Sequence, residues 1–86
     1  MSAGKMSSYK YSPDDFRGMP LLADDLSEFY RQLERYKKSG TFEDEMGFKD
    51  AWETLFFSIK HREVEGNLNP AYASGMRLYF EELAND

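Results

Sequence analysis

The chain has 86 residues, of which 41% are hydrophobic and 16% aromatic, and it has no cysteine. This length fits one domain, and the missing cysteine excludes a disulfide framework, a thiolate nucleophile and a thiolate metal site. The net charge of −5 is concentrated outside the first residues and repels nucleic-acid phosphates and anionic lipids, so we expect no direct nucleic-acid binding and no membrane binding.

Residues 1–12 show no helical or strand period and predict a flexible tail, with Met6 as a candidate natural start. No apolar segment typical of a secretory signal follows Lys5, and we therefore expect a cytoplasmic protein. Ser12 and Pro13 then form a typical helix start. Gly18 and Pro20 follow soon after, so the pattern predicts one short helical turn that carries Phe16.

The first long helix is predicted over residues 20–39. Its large apolar residues recur every third or fourth position, as one face of an α-helix requires. They are Leu22, Leu26, Phe29, Leu33 and Tyr36. Gly40 is placed to end this helix, because glycine readily adopts the left-handed conformation at a helix C-terminus.

The second helix begins with Thr41 as its cap and ends near Glu65, before Gly66. Gly47 is a weak point in a helix, and one interpretation splits off the first turn there, so that the main helix starts near Phe48. The apolar face of this helix consists of Phe48, Trp52, Leu55 and Ile59.

The third helix is predicted from Asn69 and Pro70, a cap and first-position pair, to about Ala84. Gly75 is either a tolerated interior glycine or a place of close helix approach. The apolar face is predicted to consist of Tyr72, Met76, Tyr79 and Leu83. Aromatic side chains expected in the core are Phe29, Tyr30, Phe48, Trp52, Phe56, Tyr72, Tyr79 and Phe80.

Three apolar helix faces must be buried against one another. The predicted fold class is therefore all-α: a small three-helix bundle preceded by a short helical turn and a flexible N-terminal tail. Residues 13–86 are predicted to form a single helical domain.

Catalytic chemistry finds little support in the sequence. His61 and Glu65 have helical spacing, but no second histidine completes a metal site, and we expect an exposed surface histidine. Neighbouring carboxylates on a helix point about 100° apart and do not converge as an acid and a base would. We therefore predict a protein that is not an enzyme, with no catalytic residue, no metal and no cofactor.

Lys60, His61 and Arg62 form a short basic run on the second helix. A helix-turn-helix interpretation would make the third helix the recognition element. That helix offers only Arg77 as a cation, whereas recognition helices are rich in basic and amide side chains. DNA binding is therefore not predicted.

A second, narrower apolar stripe lies on the other side of the second helix and consists of Met46, Phe57 and Val64. Exposed apolar patches commonly mark partner sites, so these residues form a candidate partner surface. Two alternatives remain open. Tyr9, Tyr11 and Phe16 of the N-terminal residues could cover the stripe, or a break at Gly47 could remove Met46 from it.

The leading functional hypothesis is a small non-enzymatic interaction module, a regulator or accessory subunit. It would bind another protein, or a second copy of itself, through the apolar stripe and the acidic surface. The alternative is an acidic inhibitor that imitates nucleic acid and occupies the basic groove of a DNA- or RNA-handling enzyme. That alternative requires carboxylates in rows with phosphate-like spacing.

Overall fold

The computed structural model describes residues 9–85, and every regular element in this range is helical. A 3-10 helix, Pro13–Phe16, precedes helices α1 (Pro20–Ser39), α2 (Phe42–Val64) and α3 (Pro70–Asn85). The prediction of an all-α three-helix bundle with a short helical turn before it is confirmed. The predicted tail falls largely on residues 1–8, which lie outside the described residues, as does residue 86.

Local capping explains where the helices begin and end. Ser12 and Asp15 form a reciprocal capping box on the 3-10 helix, in which Asp15 Oδ2 accepts from the Ser12 backbone N–H at 3.0 Å. The Thr41 hydroxyl accepts from the backbone of α2, and Asn69 Oδ1 accepts from the backbone of α3 at 2.8 Å. Gly40 ends α1 with φ of 64°, a left-handed conformation that favours glycine.

Helix α2 does not break at Gly47, contrary to the expectation from glycine's low helix propensity. The helix is continuous from Phe42, and a Cβ atom at position 47 would lie 3.0 Å from Gln32 Oε1 of α1. The absence of a side chain at Gly47 therefore leaves room for the Gln32 side chain of α1. Because only Gly40 and Thr41 separate α1 from α2, the two helices pack as antiparallel neighbours.

Aromatic rings fill the centre of the bundle. Phe29 of α1 is fully buried, and its ring centroid lies 5.4 Å from Phe48 of α2 and 5.3 Å from Phe80 of α3. One core therefore joins all three helices. The buried residues are Tyr11, Phe16, Leu22, Leu26, Phe29, Tyr30, Leu33, Phe48, Ala51, Leu55, Ile59, Leu68, Ala73, Met76 and Phe80.

The predicted core face of α2 is correct for Phe48, Leu55 and Ile59 but not fully for its aromatic residues. Trp52 is only partly buried and packs on the edge of the core, with its ring 5.6 Å from Phe29. Phe56 is exposed, and its ring lies 5.9 Å from the guanidinium of Arg77. The helix turns both rings toward the rim because Leu55 and Ile59 already occupy the centre.

The predicted core face of α3 is correct at Met76, and Phe80 is buried as predicted, but the two tyrosines of that face lie outside the centre of the core. Ala73, Met76 and Phe80 are fully buried, whereas Tyr72 is exposed and Tyr79 is partly buried. Both sets have helical spacing, so periodicity alone does not choose between them. The small side chain of Ala73 lets the helix approach the core at a position where a tyrosine would not fit.

Tyr11 differs most from the prediction of a flexible tail. It is buried, and its ring centroid lies 5.7 Å from Tyr72 and 5.3 Å from Tyr79 of α3. The Tyr11 carbonyl accepts a hydrogen bond of 2.5 Å from the Tyr30 hydroxyl. Gly75 lies in ordinary contact with Tyr11, since a Cβ there would be 3.6 Å from the tyrosine hydroxyl.

Tyr9 continues this packing along α1. Its ring stacks on Tyr30 at 3.9 Å between centroids and 4° between planes, and its hydroxyl donates to the Glu34 carboxylate. Burial is the main cause that raises the pKa of both tyrosines, and the bond to Glu34 raises that of Tyr9 further. Residues 9–16, called the N-terminal strap below, thus cover the side of the bundle formed by α1 and α3.

Candidate protein-interaction face

An open groove of about 630 Å³ lies between the start of α1 and the second half of α2. The antiparallel arrangement places these two segments side by side, and a hydrogen bond from the Ser58 hydroxyl to the Asp25 carboxylate links them. The residues that line the groove are Leu21, Leu22, Thr54, Phe57, Ser58, Lys60, His61, Arg62 and Val64.

Three large apolar side chains of this groove face solvent. Leu21 is 74% exposed, Phe57 is 63% exposed and Val64 is 74% exposed. Phe57 lies two residues from both Leu55 and Ile59, so a step of about 100° per residue turns it away from the core. An apolar cluster of this kind is typical of a surface that binds another molecule.

The structure brings two of the three predicted surface residues together. Phe57 and Val64 share the groove, whereas Met46 is exposed but lines no part of it. Met46 lies on the same side of α2, and the 11 positions to Phe57 correspond to about 16 Å along the helix axis. The polar residues Asp50 and Glu53 occupy the same side between them.

Neither alternative explanation of the stripe holds for the described residues. Tyr9 and Tyr11 pack on Tyr30 and on α3, and Phe16 packs near Tyr72, so none of them lines the groove. The unbroken course of α2 through Gly47 also leaves the register of the stripe unchanged. Phe57 and Val64 are therefore open to solvent within residues 9–85.

Leu21 belongs to this face, although the sequence analysis did not assign it a role. It directly precedes Leu22, which is buried, and the turn of the helix sends the two side chains in different directions. In the sequence, Leu21 could have been noticed as a large apolar residue that lies outside the hydrophobic period of α1. Leu21 shares the groove with Phe57 and Val64 only because α1 and α2 pack side by side. The hydrophobic period of a single helix does not predict that packing.

The basic end of the groove carries Lys60, His61 and Arg62. His61 Nε2 lies 3.6 Å from Glu65 Oε2, and Arg62 Nη2 lies 3.9 Å from the other oxygen of that carboxylate. Lys60 is exposed and forms no ion pair with the described residues. The predicted exposure of His61 is confirmed.

An acidic hollow of about 270 Å³ adjoins the groove toward the start of α2. Its lining residues are Asp25, Glu28, Gly47, Asp50, Ala51 and Thr54, and Thr54 also lines the groove. Hydrogen bonds from Arg31 and Gln32 lower the pKa of Glu28, so this carboxylate is ionised at neutral pH. Asp50 is exposed and pairs with no cation among residues 9–85.

The described residues contain neither a metal-binding cluster nor a membrane-spanning helix. Among residues 9–85 no group of three or more His, Cys, Asp and Glu side chains is placed to hold a metal ion. Within the same range, no helix combines the length and the apolarity needed to cross a bilayer. No protein family, curated protein sequence or solved structure matches this chain.

Proposed function

We propose that this protein is a small non-enzymatic interaction module, a cytoplasmic regulator or accessory subunit that binds protein through the groove between α1 and α2. One observation carries the proposal: Leu21, Phe57 and Val64 are exposed together in a single groove. Covering such side chains would remove apolar surface from water, at about 25 cal/mol for each Å².

The acidic surface contributes solubility and selectivity in this proposal. Several carboxylates are engaged by cations of the chain itself: Asp44 lies 3.3 Å from Arg35, and Glu63 lies 2.9 Å from Arg77. A nucleic-acid mimic needs rows of carboxylates that are free to meet a basic groove. No observation on the described residues supports such rows, and the mimic stays a prediction.

The experiment compares three proteins: the parent, the double variant Phe57→Ser/Val64→Ser and the control Leu78→Ser. Leu78 is 62% exposed on α3 and does not line the groove, so it matches the chemistry of the change at another place. Each protein is immobilised and exposed to native lysate, and captured proteins are quantified by mass spectrometry. Thermal melting followed by circular dichroism is run beside it.

We expect the double variant to keep the parent's melting temperature within about 3 °C, because exposed positions contribute little to stability. It should lose the captured proteins or the self-association of the parent, and Leu78→Ser should retain them. If the parent and the double variant bind the same proteins equally and show the same mass in light scattering, the groove is not a binding surface and the proposal fails.

A further inference from the structure

The charge of the face between α1 and α2 changes sign along its length. Lys60, His61 and Arg62 lie at one end, the apolar residues Leu21 and Phe57 lie beside them, and the acidic hollow follows through Thr54. The hollow contributes Asp25 and Asp50, together with Glu28, whose charge is paired with Arg31 at 2.5 Å. A surface that is basic at one end and acidic at the other is complementary to a copy of itself turned end over end.

We infer that the occupant of this face is a second copy of the chain, docked antiparallel about a two-fold axis. The inference rests on the proposed function and names its partner. In such a dimer Lys60 of each copy meets Asp50 of the other, and Phe57 of each copy lies near the axis. Neither Lys60 nor Asp50 has an ion-pair partner among residues 9–85, so both are available for this contact.

The register of α2 provides an independent argument. Pairing position 50 with position 60 of a second copy places the axis beside position 55. The same axis places Met46 beside Val64 of the other copy, because these two positions have the same midpoint. Met46 is exposed, although it stands apart from the groove within one chain. The dimer thus covers all three residues of the apolar stripe, and it also places Glu53 of each copy beside Phe57 of the other.

Phe57 occupies the centre of the proposed interface. The two copies of Phe57 lie on either side of the axis, about 6 Å apart along the helix direction at a rise of 1.5 Å per residue. Leu21 borders the same groove and extends the apolar centre onto α1.

A charge reversal tests this dimer with the full chain. Four proteins are compared by sedimentation equilibrium: the parent, Asp50→Lys, Lys60→Glu and the double variant Asp50→Lys/Lys60→Glu. Each single change places like charges opposite each other at two symmetric contacts, whereas the double change restores opposite charges. We expect each single variant to weaken dimerisation about tenfold or more and the double variant to regain most of that loss. Far-UV circular dichroism should be unchanged in all four.

Two further measurements sharpen the result. Phe57→Ser should abolish the dimer, and the control Leu78→Ser should leave it intact. Added salt should weaken the parent dimer, because the charged contacts lie at the rim of the face.

A parent chain that stays monomeric up to about 1 mM, so that any dissociation constant is weaker than millimolar, would overturn the inference. So would a dimer that resists both single charge reversals, or one that Asp50→Lys/Lys60→Glu fails to restore. The proposed function fails separately. A monomeric parent that captures lysate proteins through Phe57 refutes only the dimer, whereas a monomeric parent whose captures ignore Phe57 and Val64 refutes both.

Discussion

The two sides of α1 differ in whether the large apolar side chains packed beside them are buried or exposed. On the side shared with α3, the N-terminal strap covers the bundle, and Tyr11 and Phe16 are buried. On the side shared with α2, Phe57 is left in an open groove beside Leu21. The described chain has a segment able to cover apolar surface, and that segment lies on one side only. Leu21, Phe57 and Val64 stay exposed on the side that this segment does not cover, as Phe42 and Leu78 do elsewhere on the surface.

The largest expected effect comes from removing the buried side chain of Phe16 in the strap. Phe16→Ala should lower the free energy of unfolding by about 3 to 5 kcal/mol, because a buried ring is removed and leaves a cavity. Phe57→Ala, the same change on the open side, should alter it by no more than about 0.5 kcal/mol. Urea denaturation of both variants measures the difference. Equal losses would mean that the strap and the groove are equally covered in solution.

A smaller effect is expected where the strap is hydrogen-bonded to α1. Tyr30→Phe keeps the ring but removes the 2.5 Å bond to the Tyr11 carbonyl. A buried carbonyl without a donor costs about 1 to 3 kcal/mol. Chemical denaturation should show this loss, and Tyr36→Phe, a partly buried tyrosine of the same helix, serves as the control. A loss no larger than that of the control would show that water replaces the tyrosine hydroxyl.

The smallest effect is expected at alkaline pH. The pKa of Tyr30 is raised by burial above its ordinary value of 10.0. A raised pKa stabilises the folded state fully below the ordinary value, and the stabilisation is lost as the pH rises toward the folded-state pKa. The parent's melting temperature should therefore fall above about pH 10, where the unfolded tyrosine ionises. Tyr30→Phe should show a shallower fall, and parallel curves would contradict the prediction.

The sequence predicted the helices well because the signals for their ends are local. Gly40 at the end of α1 and Asn69 before α3 act through bonds to residues close by in the chain. On α3, Met76 and Phe80 were correctly predicted in the core, whereas Tyr72 was wrongly assigned to it because large tyrosines dominate the apolar period. Ala73 was not predicted as a core residue because its side chain is small. Its small size is what allows it to pack against the core.

The site was predictable only in part, for a related reason. Phe57 and Val64 could be predicted from the helical period of α2 alone, because both side chains face away from Leu55. Leu21 could not be, because its place in the groove follows from the pairing of α1 with α2. The turn Pro13–Phe16 of the strap was predicted, but the burial of Tyr11 was not, because Tyr11 has no periodic neighbours and its contacts with Tyr72 and Tyr79 join distant parts of the chain.

The strap also has a consequence for the order of folding. The Lys10 backbone N–H donates to the Tyr79 hydroxyl across a separation of 69 residues, whereas α1 and α2 meet across a two-residue connection. Closing a long loop carries a larger entropy cost than closing a short one, so the α1–α2 hairpin should form early and the strap should dock late. Contacts that form after the transition state govern the unfolding rate. Substitutions that weaken the strap should therefore raise the unfolding rate and shorten the lifetime of the native state, and they should leave the folding rate almost unchanged.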